Sequence, residues 1–513
     1  MSIEQNTLSV TIKSIFQASN TVGSRFAVRM NHFLLPCIVL AFMLSGCQTE
    51  DSENMPKNGY YVGSDSCREC HEEQHIGWRA TRHPYKLQDA DPKSVIGDFV
   101  TDNTYEVAGV TTKMSTKDGA YFIETAYGTD NAIQSFPVKY VIGGLWKQRY
   151  ITELDDGSLM ILPVQWNAKE GVWGDYHGLK SREPGSGSYW SDPGRAYQYG
   201  CMGCHNTGVS YTYDTEQKRF TNTDWQEHGI ACEACHGAGG LHAAAEEYEK
   251  PGGDILNPAR IPDPRKAAMV CGQCHTRGKA KDGVHGYPTR GISKENGKES
   301  VMPFQPGDDM QFTFDAGPGL HPDGSSMKHR QQYDDWMQSK HAEVGVMCWD
   351  CHDPHRHDGQ YQRSQLQEKG SKLCLSCHTN VASTGIHGLH DVNSCVGCHM
   401  PTMATSANPY DIHSHTLNVV LPKATLDQGG DLTVQPNACN LCHYHKDHDP
   451  KELQASVDRI IAMKKEALGI IEAPEGAEVP EIEDLHETVE TPEESTMTEI
   501  IGVPEGTEDT PQP

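Results

Sequence analysis

Residues 371–400 read SKLCLSCHTNVASTGIHGLHDVNSCVGCHM. This stretch holds two Cys-x-x-Cys-His units, Cys374-Cys377-His378 and Cys395-Cys398-His399. Working outward, the unit recurs along the chain. In order, units 1 to 8 are Cys67-Cys70-His71, Cys201-Cys204-His205, Cys232-Cys235-His236, Cys271-Cys274-His275, Cys348-Cys351-His352, the two already quoted, and Cys439-Cys442-His443. They use sixteen of the 18 cysteines, and the steps between first cysteines are 134, 31, 39, 77, 26, 21 and 44 residues.

Cys-x-x-Cys-His is the attachment signature of c-type haem. Two thiols three positions apart reach the two vinyl carbons on one porphyrin edge, and the adjacent histidine comes under the iron. Zinc knuckles would pair cysteines into sites of four ligands. Here every pair carries its own histidine and the steps are irregular. A disulfide scaffold belongs to short secreted chains. The cofactors expected are eight covalently attached haem c groups. Of the 27 histidines, eight sit in units, His32 lies in the leader and His486 in the tail, which leaves 17 for eight second axial positions. The candidates are His83, His177, His228, His242, His341, His355, His387, His390, His413 and His415, with His445 and His448 beside them. His285, His321, His329 and His357 read as surface or supporting residues. WRATRH (78–83) and WMQSKH (336–341) form an internal echo, and the tyrosine segments QYG before Cys201 and KHRQQYDDW before His341 are within reach of a haem. The supply of histidine suffices to close every iron, which suits electron transfer.

Only 36% of the 513 residues are hydrophobic, with Gly 49 and Pro 29. Side chains alone make a thin core, so the chain is expected to collapse on flat apolar porphyrins. The fold class expected is mainly α with long loops around the haems, with a small β-rich module near residues 97–180, where short runs alternate. That module reads as a lid, a docking face or plain support. Residues 251–340 read as loops around units 4 and 5. The formal charge of -27 disfavours nucleic acid and would steer a redox protein with a basic docking face.

At the N-terminus, FLLPCIVLAFMLSG (33–46) is too short for a spanning helix, which needs about 20 residues. Arg25 and Arg29 precede it, as in an export signal. Leu44-Ser45-Gly46-Cys47 resembles the lipobox of bacterial lipoproteins, which implies a lipid on Cys47 and an outer-membrane location facing the periplasm or the exterior. The expected division is a signal (1–46), a tether (47–60), unit 1 with the β-rich insertion (61–200), units 2–4 (201–340), units 5–8 (341–450), a C-terminal helix (451–472) and an acidic tail (473–513). From Glu472 onward there are fourteen Asp or Glu and no Lys or Arg, the composition of a disordered segment.

YVGSDSCRECHEEQHIGWRATRH (61–83) resembles the first haem segment of the cytochrome c554-like family. GIACEACHGAGGLH (229–242) resembles another segment of that family, and LCLSCH with SCVGCHMP resembles the doubled-motif cytochromes. The resemblance implies that His71 and His236 are proximal, with His83 axial in the first segment and His242 distal to His236. The function expected first is an electron conduit between periplasmic or membrane donors and an outer acceptor. The rival is an octahaem oxidoreductase of nitrite, hydroxylamine or tetrathionate. A third reading is a subunit of a polymeric filament assembled haem to haem.

Overall fold

In the computed structural model the described residues are 59–467 apart from 102, 108, 177–182, 247–254, 318, 357–364, 382–385 and 390–394. The leader, Cys47, the acidic tail, His177, His357 and His390 lie outside them.

Alternation after residue 86 builds two antiparallel sheets. Strands β1 (Leu87–Asp89), β6 (Tyr140–Gly143), β7 (Lys147–Glu153), β8 (Leu159–Asn167) and β9 (Val172–Asp175) pair in that order. Strands β2 (Thr104–Val107), β3 (Val110–Lys117), β4 (Ala120–Tyr127) and β5 (Ala132–Pro137) form the second sheet. Met114, Ile123, Tyr150, Ile151 and Leu162 are fully buried in their shared core. Each such side chain contributes about 1.5–3 kcal/mol of burial. The period of two matters on β7. Gln148 and Tyr150 are buried, while Lys147 and Arg149 share the other face.

The chain is a mixture of short helices and small antiparallel sheets, so the expectation of a mainly α fold is corrected. A further sheet draws two of its four strands from residues 251–340, read as loops. It contains β10 (Ser210–Asp214), β11 (Arg219–Asp224), β12 (Thr289–Glu295) and β13 (Lys298–Pro303), in the order β11-β10-β13-β12. The β12–β13 hairpin turns on Asn296 (φ 51°) and Gly297 (φ 72°). Two successive positive φ values are what a two-residue hairpin loop needs, and Asn-Gly supplies them at least cost.

Helices are mostly single turns, several of them made by the Cys-x-x-Cys-His units themselves. Two are longer. Helix α1 (Pro264–His275) starts at Asp263, whose carboxylate accepts the Arg265 N–H at 2.9 Å, and ends on the histidine of unit 4. Helix α2 (Pro450–Ala467) buries Val457, and Leu453, Ile460 and Ile461 line the central cavity beside unit 8. No helix among the described residues is long and apolar enough to cross a membrane.

Candidate functional site

One continuous cavity of about 4370 Å³ runs through the molecule. A drug-sized ligand site measures roughly 300–1,000 Å³, so this space suits many cofactors. All sixteen unit cysteines and all eight unit histidines line it. The units follow one another through close thiols. Cys67 and Cys232 lie within hydrogen-bond reach, as do Cys204 and Cys274, Cys271 and Cys348, and Cys374 and Cys395. Cys235 neighbours Cys274, Cys351 neighbours Cys377, and Cys398 neighbours Cys442. The spatial order is therefore 1-3-4-5-6-7-8, with unit 2 joined to unit 4.

Five unit histidines face a second histidine across this cavity. Ring centres are 6.4 Å apart for His71 and His242, 6.0 Å for His236 and His355, and 6.3 Å for His352 and His415. They are 5.9 Å apart for His378 and His341, and 6.3 Å for His399 and His387. Two imidazoles trans on one metal, each bound at about 2.0–2.1 Å, hold their ring centres roughly 6 Å apart. The donor set therefore fits haem iron. His83 is an electrostatic neighbour of His275 in unit 4. Burial lowers His83 and His415 to about 3 and His275 to about 4. Neutral imidazole is the form that donates to a metal.

These partners differ from the nearest-in-sequence arrangement. His242 faces His71 rather than His236, and His355 faces His236 rather than His352. The cause is that unit 3 docks on unit 1. The buried Glu233 carboxylate accepts the N–H groups of Val62, Gly63 and Gly239 at 2.7–3.2 Å and carries its turn onto the first segment. His413 lines the cavity with Nδ1 2.5 Å from the Met400 carbonyl. His445 and His448 pair with each other, their Nδ1 atoms 3.1 Å apart. His228 does not line the cavity; it packs between Tyr140 and Trp225. His285 and His321 are buried, as supporting residues rather than surface ones. The tryptophan echo is kept. Trp78 donates to the Ile230 carbonyl at 2.8 Å and Trp336 to the Val346 carbonyl at 2.9 Å, each fixing the segment that carries His83 or His341.

Unit 2 is different. Burial lowers His205 to about 3, and its Nδ1 meets the Lys86 carbonyl at 3.2 Å. Its neighbours are four cations and a histidine kept neutral. Lys147 and Arg149 come from the outer face of β7, Arg277 from two residues past His275, and His329 and Arg330 from the loop before His341. All of them line the cavity. Arg330 Nη1 is 3.7 Å from Cys204 Sγ, and its backbone has φ 59°. A non-glycine residue in that region is strained, and such strain concentrates at functional sites. Tyr176 lies under Arg149 at 4.6 Å and Arg195 at 5.0 Å. Burial, then Arg149, lowers Lys147 to about 7; burial, then Arg330 and Arg149, lowers Arg277 to about 10. Burial and the same four cations push His329 well down. The carboxylate acting on Lys147, Asp411, already accepts the N–H groups of Ser406, Ala407 and Asn408 at 2.5–3.0 Å. A half-buried group of like charges in an acidic protein is an electrostatic trap for a small anion.

Sequence reasoning missed this cluster. The segment 328–336 reads as able to approach a haem, but the strands of 97–180 read only as a lid, a docking face or plain support. The signal was Lys-x-Arg at strand spacing, which puts both cations on one face.

Comparison with known proteins agrees with these features. The doubled CXXCH motif model matches residues 341–383, and the model for cytochrome c554 and c-prime matches residues 181–237, across units 2 and 3 rather than the first segment. Over 407 residues, 69% of this chain and 52% of the other, the chain is 24% identical to dissimilatory sulfite reductase MccA of Wolinella succinogenes. Over 184 residues, 31% of this chain and 34% of the other, it is 24% identical to cytochrome c nitrite reductase subunit NrfA of Nitratidesulfovibrio vulgaris. It therefore spans about half of the first relative and a third of the second. The fold resembles that of the outer cell wall cytochrome OcwA, with a TM-score of 0.54, 21% identity, and 80% of this chain and 89% of the other covered. With haem-attachment units throughout and histidines set to hold iron, the chain is a multihaem c-type cytochrome with doubled-CxxCH and cytochrome c554-like segments.

Proposed function

We propose that this cytochrome reduces a small sulfur or nitrogen oxyanion at unit 2, with the remaining units delivering electrons. The observation that carries the reading is the cluster of Lys147, Arg149, Arg277 and Arg330 beside His205. The named activities of the two curated relatives, sulfite and nitrite reduction, support the same class. The conduit expected from ligand supply becomes the feeding arm of a catalyst.

Haem iron supplies electrons and a coordination position. The chain's own residues supply the rest. Arg149, Arg277 and Arg330 hold the oxyanion through charge-assisted hydrogen bonds. Tyr176 stacks on Arg149 and fixes its plane. Lys147 Nζ, near neutrality in acid strength, delivers protons to the departing oxygen and is steadied by the Ser406 carbonyl at 2.5 Å. The test is turnover of sulfite or nitrite by holoprotein with a reduced viologen as donor. Turnover of at least one anion supports the reading, and turnover of neither refutes it.

Eight haems, one per unit, complete the proposal, and a holoprotein mass with fewer contradicts that count. His242, His355, His83, His415, His341 and His387 would be the second histidines holding iron at units 1, 3, 4, 5, 6 and 7. Replacing a histidine ligand by methionine raises a haem potential. His242→Met is therefore expected to raise one potential and to replace one bis-histidine low-spin signal in the paramagnetic resonance spectrum. An unchanged set of potentials and signals would exclude His242 as a ligand.

The protein is placed outside the cytoplasm, held to an outer membrane by lipid on Cys47 and exchanging electrons with a partner that carries a basic face. A lipoprotein's several acyl chains give stable anchoring. Cys47→Ser is expected to move the protein from membrane to soluble fractions, and unchanged sedimentation with membranes would refute the anchor.

A further inference from the structure

Behind unit 2, away from the cavity, lies a buried polar chain that the reduction does not use. The Tyr211 hydroxyl is 2.7 Å from His285 Nε2, and His285 Nδ1 is 2.7 Å from Asp282 Oδ2. Tyr211 is 2% exposed and His285 0%. Against burial, which raises it, hydrogen bonds from the N–H groups of His285 and Val284, the Thr289 hydroxyl and the His285 ring hold the Asp282 carboxyl at about 2. Burial keeps His285 below its ordinary value despite that carboxylate. The tautomer follows. Nδ1–H donates to Asp282, and Nε2 accepts the Tyr211 phenol proton.

The same residues belong to a file of aromatic rings that starts at unit 2. The Tyr287 ring lies against the backbone of Gly203, inside unit 2, so closely that a Cβ there would be 2.3 Å from it. Tyr287 and His285 have ring centres 5.0 Å apart, and His285 and Tyr211 5.8 Å. Tyr211 and Tyr199 follow at 5.8 Å, then Tyr199 and Tyr213 at 6.4 Å, and Tyr213 is only half-buried. A structural staple would need the Asp282 hydrogen bonds alone. It would not need a buried phenol aimed at the basic nitrogen of a neutral imidazole in a file of rings leading to a redox site.

We propose that Tyr211, with His285 and Asp282, is a proton-coupled electron donor that discharges oxidising equivalents from unit 2. The inference rests on unit 2 being the reacting unit. The oxidant is a peroxide. Its O–O bond breaks, and with two solvent protons it becomes two molecules of water. One electron comes from a ferrous haem and one from Tyr211. The Tyr211 proton moves to His285 Nε2, leaving a neutral phenoxyl radical and an imidazolium against the Asp282 carboxylate. Tyr199 and Tyr213 carry the hole toward the surface.

Two oxidants separate this inference from the reading of unit 2. Partly reduced holoprotein is mixed with hydrogen peroxide and freeze-quenched, and fully oxidised holoprotein is flashed with a ruthenium polypyridyl photo-oxidant, which needs no open iron. Both are read by paramagnetic resonance. The expected result is a tyrosyl radical in each, with a yield at least tenfold lower in Tyr211→Phe and in His285→Gln. Tyr213→Phe keeps the Tyr211 signal. Haem content and low-spin signals equal to wild type certify each variant's fold. A radical with the photo-oxidant but none with peroxide overturns unit 2 as the source and leaves the donor standing. No radical with either oxidant, or equal radical in Tyr211→Phe, overturns the donor.

Discussion

Arg330→Asn lowers kcat/KM for the reduced anion by about 10²–10³, the usual effect of removing one preorganised donor from an anion site, with haem content unchanged. Asparagine is chosen because it tolerates the left-handed backbone that Arg330 adopts at φ 59°, so the loss reads out the guanidinium rather than the loop. Arg330 is held close to unit 2 by its approach to Cys204 Sγ at 3.7 Å and is surrounded by Arg149 and Arg277. Arg330→Lys restores part of the rate, because it keeps the charge but not the planar fork. Steady-state turnover with a viologen donor measures both variants. A rate within twofold of wild type in Arg330→Asn would remove this residue from the anion site.

Turnover falls about tenfold per unit as pH rises above 7, and Lys147→Met lowers the rate by about 10–10² at pH 6 while flattening that limb, as loss of a general acid would. The sign follows from the proton carried. Burial and then Arg149, with Arg277 and Lys328 beyond, lower Lys147 to about 7, while Asp411 works in the opposite sense. Below that value Nζ is an ammonium that binds the anion and donates a proton; above it, neither is available. The same shift has a consequence for stability. Between about 7 and the ordinary lysine value the unfolded chain binds a proton that the folded chain does not, so this residue's contribution to stability rises with pH across that window. Lys147→Arg, always charged, moves the fall to higher pH. A pH profile that Lys147→Met leaves intact would contradict the assignment.

The positions that line the cavity were legible because each unit is local. Two thiols and a histidine within five residues need no tertiary knowledge. The second histidines were not legible, because each crosses from another part of the chain. His242 sits six residues from His236 yet faces His71, since Glu233 ties unit 3 to the first segment. The hairpin at Asn296-Gly297 carries the strongest short-range turn signal there is, but it lies within a Gly- and Pro-rich composition that reads as loop. The anion site was hardest. Lys147 and Arg149 are an ordinary alternating pair until the sheet is laid against unit 2, and Arg277 and Arg330 are brought to them only by tertiary packing.

The most direct test of the account is paramagnetic resonance of the fully oxidised holoprotein, with and without sulfite or nitrite. The account predicts a high-spin ferric haem at the iron of His205, whose signal changes when either anion binds. A spectrum that is entirely low-spin and indifferent to both anions would contradict it.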